Sequence, residues 1–264
     1  SLHLLPSGQV FYSRVGWAQA DMTLTETAYL AFSGPAAGVW TDLGQQQFYD
    51  RQEGTAVLQI DTTVSPAAAK VYVIGGGVSG PATTRNPQTA ETIDLTSLAG
   101  ASWTTVAPMN FPRTNVNAVL LPDATILVIG GQRNGKWNAG PGAVLEAEIY
   151  DPRNDTWAPT APMMFPRQYH SVAVLLPDGR VLTAGGVDPS GPPERDQRNM
   201  EVFSPAYLSM GARPTITASP ANIAYGASFN IDTADASRID SVVLLRPGSV
   251  THHTDAGARY VKLP

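Results

Sequence analysis

Short apolar runs alternate with turn residues along most of the chain, and the clearest example lies between residues 172 and 186. An apolar run at 172–176 is followed by a Pro-Asp-Gly turn at 177–179 and by a second apolar run at 181–184. In such a turn proline fixes φ, aspartate caps the bend and glycine accepts a positive φ. The segment therefore predicts two antiparallel strands, and the glycine pair that follows lets the chain leave the sheet.

This hairpin is one copy of an internal repeat. Glycine pairs recur 55 residues apart, at 75–76, 130–131 and 185–186. Three other landmarks keep nearly the same interval: Trp103 and Trp157, the Pro-Met-x-Phe-Pro-Arg segments that end at Arg113 and Arg167, and the Leu-Leu-Pro-Asp segments at 120–123 and 175–178. A period of about 50 residues with this content is typical of kelch-type β-propeller blades, each with four strands. We therefore predict an all-β fold with four kelch-type blades over residues 1–208.

The pattern changes after Pro205. Strands are predicted near 213–220, 228–232 and 241–246, and they resemble the start of an immunoglobulin-like β-sandwich, which we assign to residues 209–264. Because a sandwich needs roughly 100 residues, we expect this domain to be partial and the chain to be cut at both ends. A partial ring has open blade edges that invite pairing, so a second polypeptide is a candidate source of the missing blades.

Composition narrows the range of functions. The net charge of −5 argues against nucleic acid as a partner, because phosphate binding needs clustered lysine and arginine. The chain contains no cysteine, which excludes disulfides, thiolate metal sites and cysteine nucleophiles within it. No apolar stretch approaches the about 20 residues of a transmembrane helix, and no signal peptide opens the sequence. The sequence also lacks a Ser-His-Asp set, a phosphate-binding loop and an HExxH motif.

Two residues in front of the last hairpin are candidates for chemistry. After Arg113 the third blade reads Thr-Asn-Val-Asn, whereas after Arg167 the fourth blade reads Gln-Tyr-His-Ser with one extra residue. The blade fold therefore does not require Tyr169 and His170, which indicates a specific role. Neighbouring strand residues face opposite sides, so both side chains reach one ion only if the segment is irregular, as Pro166 and the extra residue suggest.

A second candidate is the pair His252-His253, which follows a turn at 247–249. A sandwich loop with histidines can reach back into the central channel of a propeller. Together with Tyr169 and His170, one histidine of this loop gives two imidazoles and one phenol, and such N and O donors suit Cu(II) in tetragonal geometry. Structural roles stay open as alternatives: Tyr169 as a strand cap, His170 as a hydrogen-bond partner of a neighbouring blade, and the histidine pair as surface residues.

Other conspicuous residues are assigned structural roles. His3 lies in an apolar strand, and Trp103 and Trp157 stand at the repeat interval, which indicates blade packing. One arginine opens each of three blades: Arg51, Arg113 and Arg167. The long polar loop at 188–199 is predicted to lie on a surface or rim.

Four segments carry a resemblance to a known family: Leu-His-Leu-Leu-Pro-Ser-Gly at 2–8, Arg-Gln-Tyr-His-Ser at 167–171 with its Leu-Leu-Pro-Asp-Gly-Arg-Val continuation, Val-Phe-Ser-Pro-Ala-Tyr-Leu at 202–208, and Thr251-His252 followed by Arg259. With these segments the chain resembles the copper radical oxidases, in the glyoxal oxidase branch of the galactose oxidase-like family. The resemblance implies a seven-bladed kelch-type propeller followed by an immunoglobulin-like sandwich whose loop enters the axial channel.

The same resemblance implies roles for three residues. Tyr169 resembles the axial tyrosine of the family, a copper ligand and the base that takes the proton of the substrate hydroxyl. His170 and His252 resemble the two equatorial imidazole ligands, whereas His253 is not implied. The fourth ligand of the family, a tyrosine cross-linked to a cysteine, holds the radical and belongs to earlier blades, so this part of the cofactor is not expected in this chain.

The leading hypothesis is the C-terminal portion of an extracellular or cell-surface copper-dependent oxidase. With its N-terminal blades, such an enzyme oxidises aldehydes or primary alcohols and reduces dioxygen to hydrogen peroxide. Two alternatives stay open: a non-catalytic secreted propeller that binds glycan or protein, and a structural component of an extracellular assembly. A cysteine and a partner tyrosine in the upstream coding sequence would favour the oxidase.

Overall fold

A computed structural model of the chain describes residues 1–13, 26–48, 51–77, 87–133, 142–187 and 196–264. In these residues the fold is all-β, apart from two short 3₁₀ turns at Ala206–Ser209 and Ala236–Arg238. No helix among them has the length and apolar character needed to cross a bilayer. Most of the polar loop predicted at 188–199 lies outside the described residues, since 188–195 are not among them.

The predicted blades are present as antiparallel sheets in which consecutive strands are neighbours. Blade 1 contains β1 (Leu2–Leu4), β2 (Val10–Tyr12), β3 (Glu26–Leu30) and β4 (Trp40–Gln45). Blade 2 contains β5 (Thr55–Asp61), β6 (Ala68–Ile74), β7 (Ala90–Asp94) and β8 (Trp103–Val106). Blade 3 contains β9 (Asn117–Leu120), β10 (Ile126–Ile129), β11 (Ala147–Asp151) and β12 (Thr156–Thr160).

Blade 4 has three strands within the described part of the chain, where the repeat predicts four. They are β13 (Ser171–Leu175), β14 (Val181–Gly185) and β15 (Met200–Phe203). The turn between β13 and β14 forms as its sequence predicts, because Gly179 has a φ of 87° and Asp178 Oδ1 accepts a hydrogen bond from the backbone N–H of Arg180 at 3.0 Å.

The C-terminal part contributes six short strands: β16 (Ile216–Ala218), β17 (Asp232–Thr233), β18 (Val243–Arg246), β19 (Val250–Thr251), β20 (Thr254–Asp255) and β21 (Arg259–Lys262). β16 and β17 form a small sheet of their own, whereas β18 and β21 extend blade 2 into a six-stranded sheet. β21 pairs parallel with β5, so the C-terminal part is hydrogen-bonded directly to a propeller blade. The predicted boundary after residue 208 stays a prediction.

Three apolar clusters fill the spaces between successive blades. Phe11 of blade 1 packs against Trp103 of blade 2, with ring centroids 6.2 Å apart. Tyr72 of blade 2 contacts Tyr150 of blade 3 in an edge-on arrangement at 5.9 Å. Because each sheet buries a face against the next one, the inner strands β5, β9 and β13 lie side by side.

An ion pair recurs in three blades, buried in two of them and partly buried in the third, and it explains the arginine that opens each blade. The pairs are Arg51–Glu91, Arg113–Glu148 and Arg167–Glu201. In blade 3, Arg113 also donates to the carbonyl oxygens of Gly130 at 2.8 Å and Glu146 at 2.7 Å. Glu148 in turn accepts a hydrogen bond from the backbone N–H of Asn110 at 2.7 Å. The structural role predicted for these arginines agrees with these contacts.

Two of the glycine pairs, at 75–76 and 130–131, connect their blade with the next one. Gly131 donates its N–H to the carbonyl oxygen of Arg167 at 2.7 Å. Gly130 has a φ of 76°, and a Cβ at this position would lie 2.6 Å from the same carbonyl oxygen. Glycine is therefore required here both for its backbone conformation and for the close approach of two blades.

Replacement of Gly130 by alanine is expected to lower the free energy of unfolding by about 2–4 kcal/mol, since a left-handed alanine and an overpacked contact both destabilise the native state. Chemical denaturation measures the loss. Gly100→Ala is the matched control, because Gly100 has a φ of 78° and open space around its Cβ position. That variant should lose only about 1–2 kcal/mol. Equal losses in the two variants would contradict the close-approach argument.

His3 and the two repeat tryptophans occupy structural positions, as predicted. The His3 side chain is buried and its Nε2 lies 3.2 Å from Ser13 Oγ. Trp103 Nε1 donates to Thr27 Oγ1 at 3.0 Å, which links blade 2 to blade 1. Trp157 stacks on Tyr150 with 4.7 Å between ring centroids. These residues therefore stabilise the packing within and between blades.

Candidate metal centre

Tyr169 and His170 lie in a turn that leads from Arg167 into β13. The backbone N–H of Ser171 donates to the carbonyl oxygen of Gln168 at 3.0 Å, and His170 has a φ of 61°. The segment is therefore irregular, as its extra residue predicts. The two rings stack on one another at 3.9 Å between centroids, so neighbouring residues face the same region.

His252 and His253 form the two-residue turn of the hairpin β19–β20. Their φ values are 50° and 60°, and positive φ at both central positions is the pattern of a type I′ turn. β19 lies beside β13 of blade 4, and β20 lies beside β5 of blade 2. The hairpin therefore bridges two blades and holds its histidines between their inner strands.

The structure brings together the three residues that the sequence singles out. His170 Nε2 lies 2.9 Å from His252 Nε2. The ring centroid of Tyr169 lies 5.9 Å from that of His252. His252 Nδ1 is 2.9 Å from Thr251 Oγ1, a contact that orients the ring and leaves Nε2 to face His170. The assignment of these residues as metal ligands stays a prediction.

The donor set is compatible with Cu(II). Two imidazole nitrogens about 2.0 Å from one ion at a right angle are about 2.8 Å apart, close to the 2.9 Å between His170 and His252. Across the described ranges no three His, Asp or Glu side chains are arranged to hold a metal ion. The ring of Tyr169 adjoins both imidazoles, and a mixed set of N and O donors is one that Cu(II) accepts.

Electrostatics favour a neutral imidazole and a protonated phenol in the metal-free chain. Desolvation and the charge of His252 lower the pKa of His170, so its ring is neutral and has a free lone pair at neutral pH. Burial and the negative charge of Glu53 raise the pKa of Tyr169. A bound cation acts in the opposite direction and favours the phenolate.

Sequence reasoning missed two residues next to this centre, and the first is His253. Vicinal histidines in a loop suggest surface residues, yet the His253 side chain is completely buried. Burial lowers its pKa to about 3, so the ring is neutral. Its Nε2 lies 4.0 Å from Glu53 Oε2, and neither ring nitrogen has a hydrogen-bond partner among the described residues.

The second missed residue is Glu53, whose side chain is also completely buried. Its Oε2 accepts a hydrogen bond from Asn115 Nδ2 at 3.0 Å. The repeat contains a signal that would have found it, because Arg51-Gln52-Glu53 stands in blade 2 where Arg-Gln-Tyr stands in blade 4. Extending the comparison of blades 3 and 4 to blade 2 would have placed Glu53 near Tyr169.

Comparison with protein families gives two matches along the chain. Residues 43–207 match the family described as glyoxal oxidase N-terminus. Residues 213–264 match the family described as galactose oxidase-like, Early set domain. The first match covers more than half of the chain.

Several curated proteins are similar to parts of this chain. A galactose oxidase of Gibberella zeae is 35% identical over 173 residues, which cover 62% of this chain and 25% of the relative. The aldehyde oxidase GLOX1 of Arabidopsis thaliana is 31% identical over 173 residues, with 57% of this chain and 28% of the relative covered. The chain thus spans about a quarter of the length of these relatives.

Among solved structures, a fungal alcohol oxidase of the AA5 family in complex with copper superposes with a TM-score of 0.76. The superposition covers 97% of this chain and 52% of that one, at 23% sequence identity. This likeness supports the predicted fold of propeller blades followed by a β-sandwich domain.

Proposed function

Because the chain belongs to the glyoxal oxidase family, we propose that it is the copper-binding portion of an oxidase that acts on aldehydes or primary alcohols and reduces dioxygen to hydrogen peroxide. One observation carries the proposal: the phenol of Tyr169 and the imidazoles of His170 and His252 converge from two distant segments. The copper bound by the similar alcohol oxidase supports the choice of metal.

In this proposal His170 and His252 would hold the ion through their Nε2 atoms, and Tyr169 would bind it through its phenol oxygen. A bound copper ion would supply a one-electron acceptor and would lower the pKa of a hydroxyl next to it. The phenol oxygen of Tyr169 would accept the proton of the substrate hydroxyl. The stacked ring of His170, at 3.9 Å, restricts the orientation of the phenol for this role. His170 and His252 are both exposed, so a small substrate can reach the centre.

The radical cofactor of the family needs a cysteine, and this chain has none, so the proposal takes the cross-linked tyrosine and cysteine from segments outside it. An extracellular or cell-surface location is proposed from the family. None of the similar proteins supports a second polypeptide as the source of further blades, so this partner stays a prediction.

Titration of the chain with Cu(II) tests the metal centre. We expect one ion per chain and an electron paramagnetic resonance spectrum of tetragonal Cu(II) with coupling to two nitrogen donors. The protein in its full length should then release hydrogen peroxide when it is supplied with glyoxal-type aldehydes and dioxygen. The absence of stoichiometric copper binding, or a spectrum without nitrogen coupling, would refute the assigned centre.

A further inference from the structure

Three successive blades place the residue two positions after their opening arginine at the same end of the inner strands. These residues are Glu53, Asn115 and Tyr169. Glu53 and Asn115 have nearly equal φ values of 59° and 58°, and the N–H of Asn115 donates to the carbonyl oxygen of Glu53 at 2.7 Å. The repeat therefore places a carboxylate, an amide and a phenol at equivalent positions, just before the inner strands β5, β9 and β13.

Hydrogen bonds connect Glu53 with the segment that carries Tyr169. Asn115 Nδ2 donates to Glu53 Oε2 at 3.0 Å, and Gln132 Nε2 donates to Asn115 Oδ1 at 2.9 Å. Gln168 Nε2 lies 3.5 Å from Gln132 Oε1, and Gln168 directly precedes Tyr169. This polar chain runs from blade 2 through blade 3 to blade 4.

On its other side Glu53 contacts the histidine hairpin. Its Oε2 lies 4.0 Å from Nε2 of His253, the neighbour of His252. Glu53 thus adjoins the hairpin that carries His252, and hydrogen bonds link it to the segment that carries Tyr169. A completely buried carboxylate loses its hydration, and a divalent cation nearby compensates for that loss because charges interact more strongly away from water.

We propose that the Glu53 carboxylate is the buried counter-charge of the copper centre and that it raises the affinity of the centre for the divalent ion. This inference rests on the proposed function, since it adds a residue to the same site. It does not require Glu53 to be a ligand, because the two donor segments already supply two imidazoles and a phenol. Glu53 acts through charge, so it is a positioning residue of the centre.

Replacement of Glu53 by glutamine tests the proposal, because it removes the charge and keeps the shape. We expect the affinity for Cu(II), measured by competition with a chelator of known affinity, to fall at least about tenfold, as is typical when an outer partner of a metal site is lost. The thermal midpoint of the metal-free chain should stay the same or rise, because no buried charge then has to lose its hydration. A purely structural glutamate would give the reverse pattern, with a lower midpoint and unchanged affinity.

Two further variants make the test specific. Glu146→Gln removes an exposed carboxylate that pairs with Arg133, and its Cu(II) affinity should stay within about twofold of the unaltered chain. Glu53→Asp keeps the charge and should bind Cu(II) more tightly than Glu53→Gln. If Glu53→Gln does not fold, Glu53→Met removes the charge instead, and a folded Glu53→Met should bind Cu(II) at least about tenfold more weakly than the unaltered chain.

The proposal is overturned if Glu53→Gln binds Cu(II) as tightly as the unaltered chain, or if a folded Glu53→Asp loses as much affinity as Glu53→Gln or falls more than about tenfold. Both results would leave the proposed oxidase function intact, because the unaltered chain would still bind copper. Failure of the unaltered chain to bind Cu(II) would refute the proposed function first and this inference with it.

Discussion

Replacement of Arg113 by methionine is expected to lower the free energy of unfolding by about 3–5 kcal/mol, because it leaves the carboxylate of Glu148 buried without its counter-charge. Neither side chain of this pair is exposed, and the Nη2–Oε1 distance is 2.9 Å. The substitution also removes the donors to the carbonyl oxygens of Gly130 and Glu146. Methionine fills part of the volume, so the loss reports mainly on the polar contacts.

Chemical denaturation of Arg113→Met measures this effect, and Arg153→Met is the control. Arg153 pairs with Asp151 at the same distance of 2.9 Å, but its side chain is 64% exposed, so its loss should cost at most about 1 kcal/mol. Replacing Glu148 as well, with leucine, should recover only part of the loss, because the backbone N–H groups of Asn110 and Phe111 would lose their acceptor. A loss in Arg113→Met as small as that in Arg153→Met would show that the buried pair contributes little.

Replacement of His252 by asparagine is expected to weaken Cu(II) binding by more than about 100-fold, since even the loss of an outer partner of a metal site costs 10–100-fold. Asparagine tolerates the left-handed backbone conformation, which His252 adopts with a φ of 50°. The side chain is exposed, so the variant should remain as stable as the unaltered chain. Competition with a chelator measures affinity, and the nitrogen coupling in the copper spectrum should fall from two donors to one.

His3→Gln is the matched control for His252→Asn, because it also removes one of the four histidines in the chain. His3 is buried in blade 1 and contacts Ser13, away from the candidate centre. This variant should lose stability and keep its affinity for Cu(II). A His252→Asn variant that binds Cu(II) as tightly as His3→Gln would exclude His252 as a ligand.

The blades were predictable because their signals are local and repeated. The glycine pairs recur every 55 residues, and an arginine opens each of three blades. The pair at 130–131 marks a close approach of two blades, and Arg113 marks a buried ion pair. The pairing of β21 with β5 was not predictable in this way. The pattern predicts a strand where β18 lies, but it predicts neither β21 nor the pairing of the two with blade 2, because strands so far apart in sequence leave no trace in a local hydrophobic pattern.

The candidate centre was predictable in part for a similar reason. Tyr169 and His170 differ from the corresponding residues of blade 3, and the comparison drew attention to them. His253 was not recognised because its burial depends on where the hairpin β19–β20 docks. The type I′ turn at His252-His253 was not predicted either, because such turns usually contain Asn-Gly or Asp-Gly rather than two histidines.

The parallel pairing of β21 with β5 has a consequence for the order of events during synthesis. Thr62, next to β5, donates both its N–H and its Oγ1–H to the carbonyl oxygen of Lys262, 200 positions later. At translation rates of about 5–20 residues per second, roughly 10–40 s separate the emergence of the two segments from the ribosome. During that interval the edge of β5 in the nascent chain lacks its partner and is a template for misassociation. The edge of blade 2 formed by β5 is therefore covered only after most of the C-terminal part has been synthesised.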